Sequence, residues 1–131
     1  MQTNLRFDRL YADAEGQSHF APFEVAVTLR EFAPPAPPFS VSALDPASRC
    51  GFLHLPIGWQ GELHRSPMRM WIFVLAGEME FKATDGAVRT ISPGSALLLE
   101  DTIGLGHTSR VLGQLPATLA AIQLPGREDA A

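Results

Sequence analysis

The sequence predicts an all-β domain, folded as a sandwich or a closed barrel. Three observations carry that expectation. The apolar runs are short and lie between turn residues, with eleven Gly and eleven Pro in 131 residues. Several runs alternate apolar and polar side chains, the period of two that a half-buried strand requires. No segment sustains the 3.6-residue period of a long helix. About ten strands of this kind need two packed sheets or a closed one, because closure removes edges that would pair with other chains. A small barrel has an interior just wide enough for side chains or one small ligand.

The elements follow in order. Residues Met1 to Pro22 are mixed and polar, and LRFDRLY within them fits either one helical turn or a strand. His19 in this leader is expected to be exposed. Phe23 to Phe32 sets Val25, Val27 and Leu29 against Glu24, Ala26, Thr28 and Arg30, a half-buried strand. Ala33 to Pro38, APPAPP, lacks backbone donors and favours polyproline geometry, so it is a stiff connector too short to separate two domains. PPFSVSAL offers an edge strand. Arg49 to Leu55, RCGFLHL, reads as a strand closed by Pro56 and Gly58, with His54 on the same side as Phe52. Ile57 to Gly61 turns, and Trp59 there is placed either to cover a barrel mouth or to lie on a surface.

Strands are expected around Glu62 to Arg65 and at Met70 to Ala76. The second is rich in Trp, Ile, Phe and Val and ends at Gly77. Glu78 to Thr84 alternates Met79, Phe81 and Ala83 against Glu78, Glu80 and Lys82. Asp85-Gly86 is a hairpin signal, because the turn wants positive φ. Ala87 to Ile91 returns, Ser92-Pro93-Gly94 turns, and Ala96 to Leu99 is a fully apolar strand. Thr102 to Gly106, TIGLG, reads as a flexible loop leading to His107. His107 to Leu112 and Ala117 to Leu124 are the last strands, and Arg127 to Ala131 is a frayed tail.

Composition bounds the function. An apolar fraction of 46% and a charged fraction of 18% are ordinary for a globular protein. A formal charge of -4 argues against nucleic-acid and anionic-membrane partners, which need dense Lys and Arg. No run reaches the roughly 18 apolar residues of a membrane span, and the N-terminus has no apolar signal region. Cys50 is the only cysteine, so no internal disulfide forms, which fits a reducing cytoplasm. The expected location is cytoplasmic, in one domain spanning 1–131.

The segment WIFVLAGEMEFKATDGAVRTISPGSALLL runs strand, Gly-Glu turn, strand, Asp-Gly turn, strand, Pro-Gly turn, strand. This order resembles the cupin family. The resemblance implies a double-stranded β-helix, a jelly-roll barrel of two antiparallel sheets. It places the barrel core at 49–124, with 1–48 as leader and Pro-rich arm and 125–131 as tail. The family's first motif has His-x-His, three or four residues, Glu, six residues, then Gly. Counting back from Gly77, the Glu slot falls on Met70 and the two His slots on His64 and Ser66. The second motif's single His falls on His107.

Two of the three first-motif ligands are therefore replaced. The resemblance implies a pocket lined by His54, His64, Ser66, Met70 and His107, between the His64 and His107 strands. His64 and His107 are the candidate metal ligands, with Glu100 as a further donor. The divalent metal would be Fe, Mn, Ni or Zn, but with so few ligands left the expectation is that none is tightly bound. Arg65 and Arg69 either hold a carboxylate or lie on a solvated face. Cys50 reads as an inert buried thiol. The expected function is a small-molecule-binding barrel, with no catalytic residue assigned. The alternative is a metal-dependent enzyme, of dioxygenase or isomerase type, on a small organic acid. The expected assembly is a homodimer, with the leader and arm packed on the second subunit.

Overall fold

Eleven strands run through residues 2–125, the residues that this computed structural model describes. They are β1 (Gln2–Ala12), β2 (Ser18–Arg30), β3 (Phe39–Val41), β4 (Arg49–Leu55), β5 (Gln60–His64), β6 (Met70–Ala76), β7 (Glu78–Ala83), β8 (Val88–Ile91), β9 (Ala96–Leu99), β10 (His107–Leu112) and β11 (Ala117–Gln123). No helix among the described residues is long and apolar enough to cross a membrane. The expected tail, Arg127 to Ala131, lies outside the described residues.

Two sheets form. The larger has the order β3-β2-β1-β9-β6-β11-β4, and the smaller β5-β10-β7-β8. The last eight strands thus divide into β4-β11-β6-β9 and β5-β10-β7-β8. This interleaving of first and last strands is a jelly roll. The barrel is not closed. The edge strands β4 and β5 belong to different sheets and do not hydrogen-bond to each other, so a mouth stays open between them.

The chain before residue 49 is more than a leader and arm. β1 and β2 pair along their whole length, from Gln2 opposite Thr28 to Ala12 opposite Ser18. β1 then lies parallel to β9, with Leu10 beside Leu99 and fully buried. Period-two alternation in Phe23 to Phe32 pointed to β2. The polar mixture in β1 hid its strand because only Leu10 of it is buried.

The core follows from the alternation. Met70, Ile72 and Val74 of β6 face inward, as do Met79, Phe81 and Ala83 of β7 and Ala117, Leu119 and Ala121 of β11. Each large apolar side chain so buried contributes roughly 1.5–3 kcal/mol. The outward residues of β6 are covered too. Trp71 stacks on Phe73 at 5.8 Å and meets Phe7 and Phe23 edge-on at 5.5 and 5.6 Å. The fully apolar β6 therefore has one face in the core and the other under aromatic rings from β1 and β2.

Candidate functional site

β10 lies between β5 and β7, and its inward side chains are His107, Ser109 and Val111. The register sets His107 directly opposite His64 of β5. Their ring centroids are 4.9 Å apart with 52° between the planes. The Phe81 ring flanks His107 at 5.8 Å. His107 is 2% exposed, whereas His64 stands exposed at the mouth.

Both imidazoles are oriented through Nδ1. His107 Nδ1–H donates to Asp101 Oδ2 at 2.5 Å, and Asp101 is completely buried. His64 Nδ1–H donates to the Glu62 carbonyl at 2.7 Å. A carboxylate and a carbonyl only accept, so each ring carries a proton on Nδ1, and in the neutral ring Nε2 then bears the lone pair. Asp101 Oδ1 is buried without a hydrogen-bond partner.

The adjacent acids Glu100 and Asp101 have opposite fates. Leu97 and Leu99 of β9 face the core, so continued alternation turns Asp101 inward and Glu100 to the other side. Glu100 accepts from Arg69 Nε at 2.7 Å and Arg9 Nη1 at 3.0 Å. Burial works to raise its pKa, but the bonds from Arg69 and Arg9 outweigh it and hold the carboxyl below its ordinary value. Glu100, expected as a metal donor, is thus committed to two arginines. Asp101 is the acid that reaches His107, and the period-two rule run two residues past β9 selects it.

The loop before His107 is pinned, against the expectation of flexibility. Leu105 N–H donates to the Gly16 carbonyl at 2.9 Å, and Ser18 Oγ donates to the Gly106 carbonyl at 2.7 Å. Ser66 N–H donates to the Asp101 carbonyl at 3.1 Å. Gly106 has φ +91° and packs on the His64 backbone so closely that a Cβ would collide with the His64 carbonyl. Glycine is what lets the loop pass there.

The two imidazoles line one cavity of about 310 Å³. Ser66 and Met70 line it as well. Ser66 is 2% exposed, and its Oγ–H donates to the Met68 carbonyl at 2.7 Å. Met70 is 7% exposed. The remaining wall is largely apolar, from Leu53, Leu55, Trp59, Ile72, Phe81 and Leu119. Among the lining residues that the sequence reading did not assign to the pocket are Ser109, Gln123 and Leu53. Ser109 follows His107 on the inward face, Gln123 at the end of β11 pairs with Met70 of β6, and Leu53 faces in from β4. Gln123 Oε1 is buried with no partner.

His54 does not reach the cavity. Leu53 and Leu55 take the inward side of β4, so His54 and Phe52 point outward. His54 is exposed, and its Nδ1 lies 3.0 Å from Thr118 Oγ1. Arg65 and Arg69 do not line the cavity either. Cys50 is exposed rather than buried, because β4 is an edge strand. His19, expected exposed, is partly covered between Asp13 and Asp85. A second hollow of about 300 Å³ lies on the outer face of the small sheet. Its Arg110 is engaged by Glu80 at 2.9 and 3.2 Å, as in a solvated face.

The donor set does not fit the metals that the resemblance implies. Two Nε2 atoms are free, but iron, manganese, nickel and zinc sites in most cases need three or more protein ligands. No group of three or more His, Cys, Asp or Glu is placed to hold an ion among the described residues. Ser66 is a poor ligand with its proton engaged, and the Met70 thioether suits softer metals.

No family model and no curated protein matches the chain. Solved structures similar to it include two jelly-roll neighbours of low identity. One is the cupin domain of Schizosaccharomyces pombe Cnp3, at 11% identity and TM-score 0.46, covering 92% of this chain and 83% of that one. The other is protein NMB1881 from Neisseria meningitidis, at 19% identity and TM-score 0.43, covering 57% of this chain and 71% of that one. The strand order itself makes this chain a jelly roll, in which paired imidazoles stand at the mouth and wall of one apolar cavity.

Proposed function

We propose that the protein binds a small, uncharged and largely apolar organic molecule in the cavity between β5 and β10. One observation carries the reading. His107 is almost fully buried, and its Nε2 accepts no hydrogen bond from the described residues, in a cavity walled mainly by hydrocarbon. Nε2 opens on a mainly apolar cavity and has no donor from the described residues, so a ligand N–H or O–H has a ready partner there. About 310 Å³ is the small end of ligand pockets.

Charge narrows the class. Among the described residues, no Lys, Arg, Asp or Glu lines the cavity. Arg69 is taken by Glu100, and Arg65 lies outside. A carboxylate would enter without a countercharge, which is costly in an apolar site. This weighs against the alternative of a metal-dependent enzyme on a small organic acid, as does the missing third ligand.

The test is a thermal-shift and native mass-spectrometry panel of neutral alcohols, phenols and ketones against matched carboxylates. A ligand that binds only the folded state raises Tm by mass action. Neutral compounds are expected to raise Tm in wild type and less in a variant with Leu53→Trp filling the cavity. Preferential binding of the carboxylates, or shifts unchanged by Leu53→Trp, would sink the reading.

A further inference from the structure

We propose that the β1–β2 turn is a pH-operated latch on the cavity mouth: the doubly protonated His19 ring clips that turn to the β7–β8 turn, and the clipped turn holds the loop Thr102 to Gly106 against His64. The latch lies outside the cavity, and it rests on the small-molecule reading only for what the mouth admits.

Both ring nitrogens of His19 meet carboxylates. Nε2 lies 2.6 Å from Asp13 Oδ2, and Nδ1 lies 2.8 Å from Asp85 Oδ2. Carboxylates only accept, so the two bonds together need N–H at both nitrogens, which is the imidazolium. The neutral ring has one N–H and must turn its lone pair toward one of the two anions. Loss of the proton therefore breaks the clip at one end, whichever nitrogen keeps its hydrogen. Hydrogen bonds to Asp13 and then Asp85 raise the His19 pKa above 6.5, so the clip is whole below that pH and is lost as pH rises through the raised value. The titratable and charged groups around the ring come from four elements. Asp13 belongs to the β1–β2 turn and Asp85 to the β7–β8 turn. Tyr11 of β1 lies at 5.6 Å with Arg9 over it at 4.2 Å, and Arg89 of β8 acts on Asp85.

Asp13 also shapes its own turn, because its Oδ1 accepts from the N–H groups of Glu15 and Gln17 at 2.9 and 3.0 Å. The turn so shaped grips the loop at three points. The Gly16 carbonyl accepts from Leu105 N–H at 2.9 Å. The Gly16 and Gly104 backbones touch so closely that a Cβ on Gly104 would strike the Gly16 carbonyl. Ser18, completely buried, donates from Oγ to the Gly106 carbonyl at 2.7 Å and accepts from Thr84 N–H at 2.8 Å. Gly106 then packs on the His64 backbone at the mouth. A continuous path of short contacts thus joins a partly exposed, titrating ring to one wall of the cavity entrance. A local charge change acting on a packed element of this kind is how histidine switches work.

The test is native-state hydrogen exchange on the full chain, followed residue by residue by NMR and corrected for the intrinsic pH dependence of exchange. The histidine rings are titrated in the same samples. Two amides report on the latch: Leu105 N–H, held by Gly16, and Ser66 N–H, which donates to the Asp101 carbonyl beside the cavity. Their protection is expected to fall at least about fivefold as pH rises, the low end of coupling between sites, with the midpoint of the His19 titration. The Ser95 amide, bonded to Ser92 in a turn outside the latch, is expected to keep its protection. His19→Gln is expected to show low protection at Leu105 and Ser66 with no pH step. Flat protection through the His19 titration, a midpoint belonging to another histidine, or an equal loss at Ser95 would overturn the latch. Loss at Leu105 without loss at Ser66 overturns it too, because the grip then stops short of the mouth. Should His19→Gln not fold, the wild-type midpoints decide. The exchange needs no ligand, so a panel of compounds without a hit sinks the small-molecule reading alone, and a flat exchange profile sinks the latch alone.

Discussion

Gly106 shows how one residue holds the site together. Its φ of +91° and its contact with the His64 backbone bring the end of β5 against the start of β10. A methyl group there meets backbone, which cannot swing aside. Gly106→Ala is expected to destabilise the fold by more than about 2 kcal/mol and to separate the two imidazoles. Gly94 is the control, because it also has φ +91° but open space around its Cβ position. Gly94→Ala should lose only about 1 kcal/mol, the backbone term. Urea titration of both variants checks the pair, and equal losses would mean that the contact with His64 is not the cause.

Elements are joined by side chains as well as by sheet hydrogen bonds. His19, at the start of β2, bridges Asp13 Oδ2 at 2.6 Å through Nε2 and Asp85 Oδ2 at 2.8 Å through Nδ1. Asp13 lies in the β1–β2 turn and Asp85 in the β7–β8 turn, so one ring ties a hairpin of the large sheet to a hairpin of the small one. Hydrogen bonds to Asp13 and then Asp85 raise His19 above its ordinary 6.5. Asp13 is held below 3.8, chiefly by the bond from His19. Asp85 is held below 3.8, first by the Ala87 backbone N–H and then by His19.

The sign of the pH effect follows. The His19 contribution is complete below pH 6.5 and fades as pH rises through its raised folded value. The two carboxylate contributions are complete above 3.8 and fade as pH falls through their lowered folded values. Thermal melts should therefore show Tm falling as pH rises above 6.5 through the raised His19 value in wild type, with a flatter profile in His19→Gln. All three side chains are about 30% exposed, so salt should weaken the effect. Parallel profiles for the two proteins would remove the clamp from the account.

The whole molecule is an open roll, and β4 is one of the four edge strands among the described residues. β4 pairs only with β11, and it carries no Lys or Pro along Arg49–Leu55. Phe52 is 79% exposed on its outer side. An unpaired, apolar strand edge is a template for other strands. Phe52→Lys removes nothing from the core, so stability is expected to stay within about 0.5 kcal/mol. Concentration-dependent self-association, followed by light scattering, should diminish. Unchanged association would place the sticky surface elsewhere. The same open edge forms the cavity mouth, because Leu53 and Leu55 on the inner side of β4 face the gap before β5.

Local chemistry was enough to read the strands of the jelly roll. The Asp85-Gly86 and Pro93-Gly94 turns, the alternation in Glu78 to Lys82 and the apolar run at Met70 mark boundaries that depend on neighbours in the chain, and β4, β6, β9 and β10 occupy the residues read as strands. The family resemblance, counted along the chain, also singled out His64, Ser66, Met70 and His107, which line one cavity. Long-range pairing decided the rest. A strand's period separates its two faces but does not say which one is inward, so His54 fell outside and Leu53 inside. The polar surface of β1 concealed a strand that only its partners β2 and β9 define. Asp101 became the anchor of His107, and Glu100 the partner of Arg9 and Arg69, because sheet packing assigns adjacent residues to opposite environments. Turn chemistry is written in consecutive residues, whereas the choice of inward face is made only when two sheets meet.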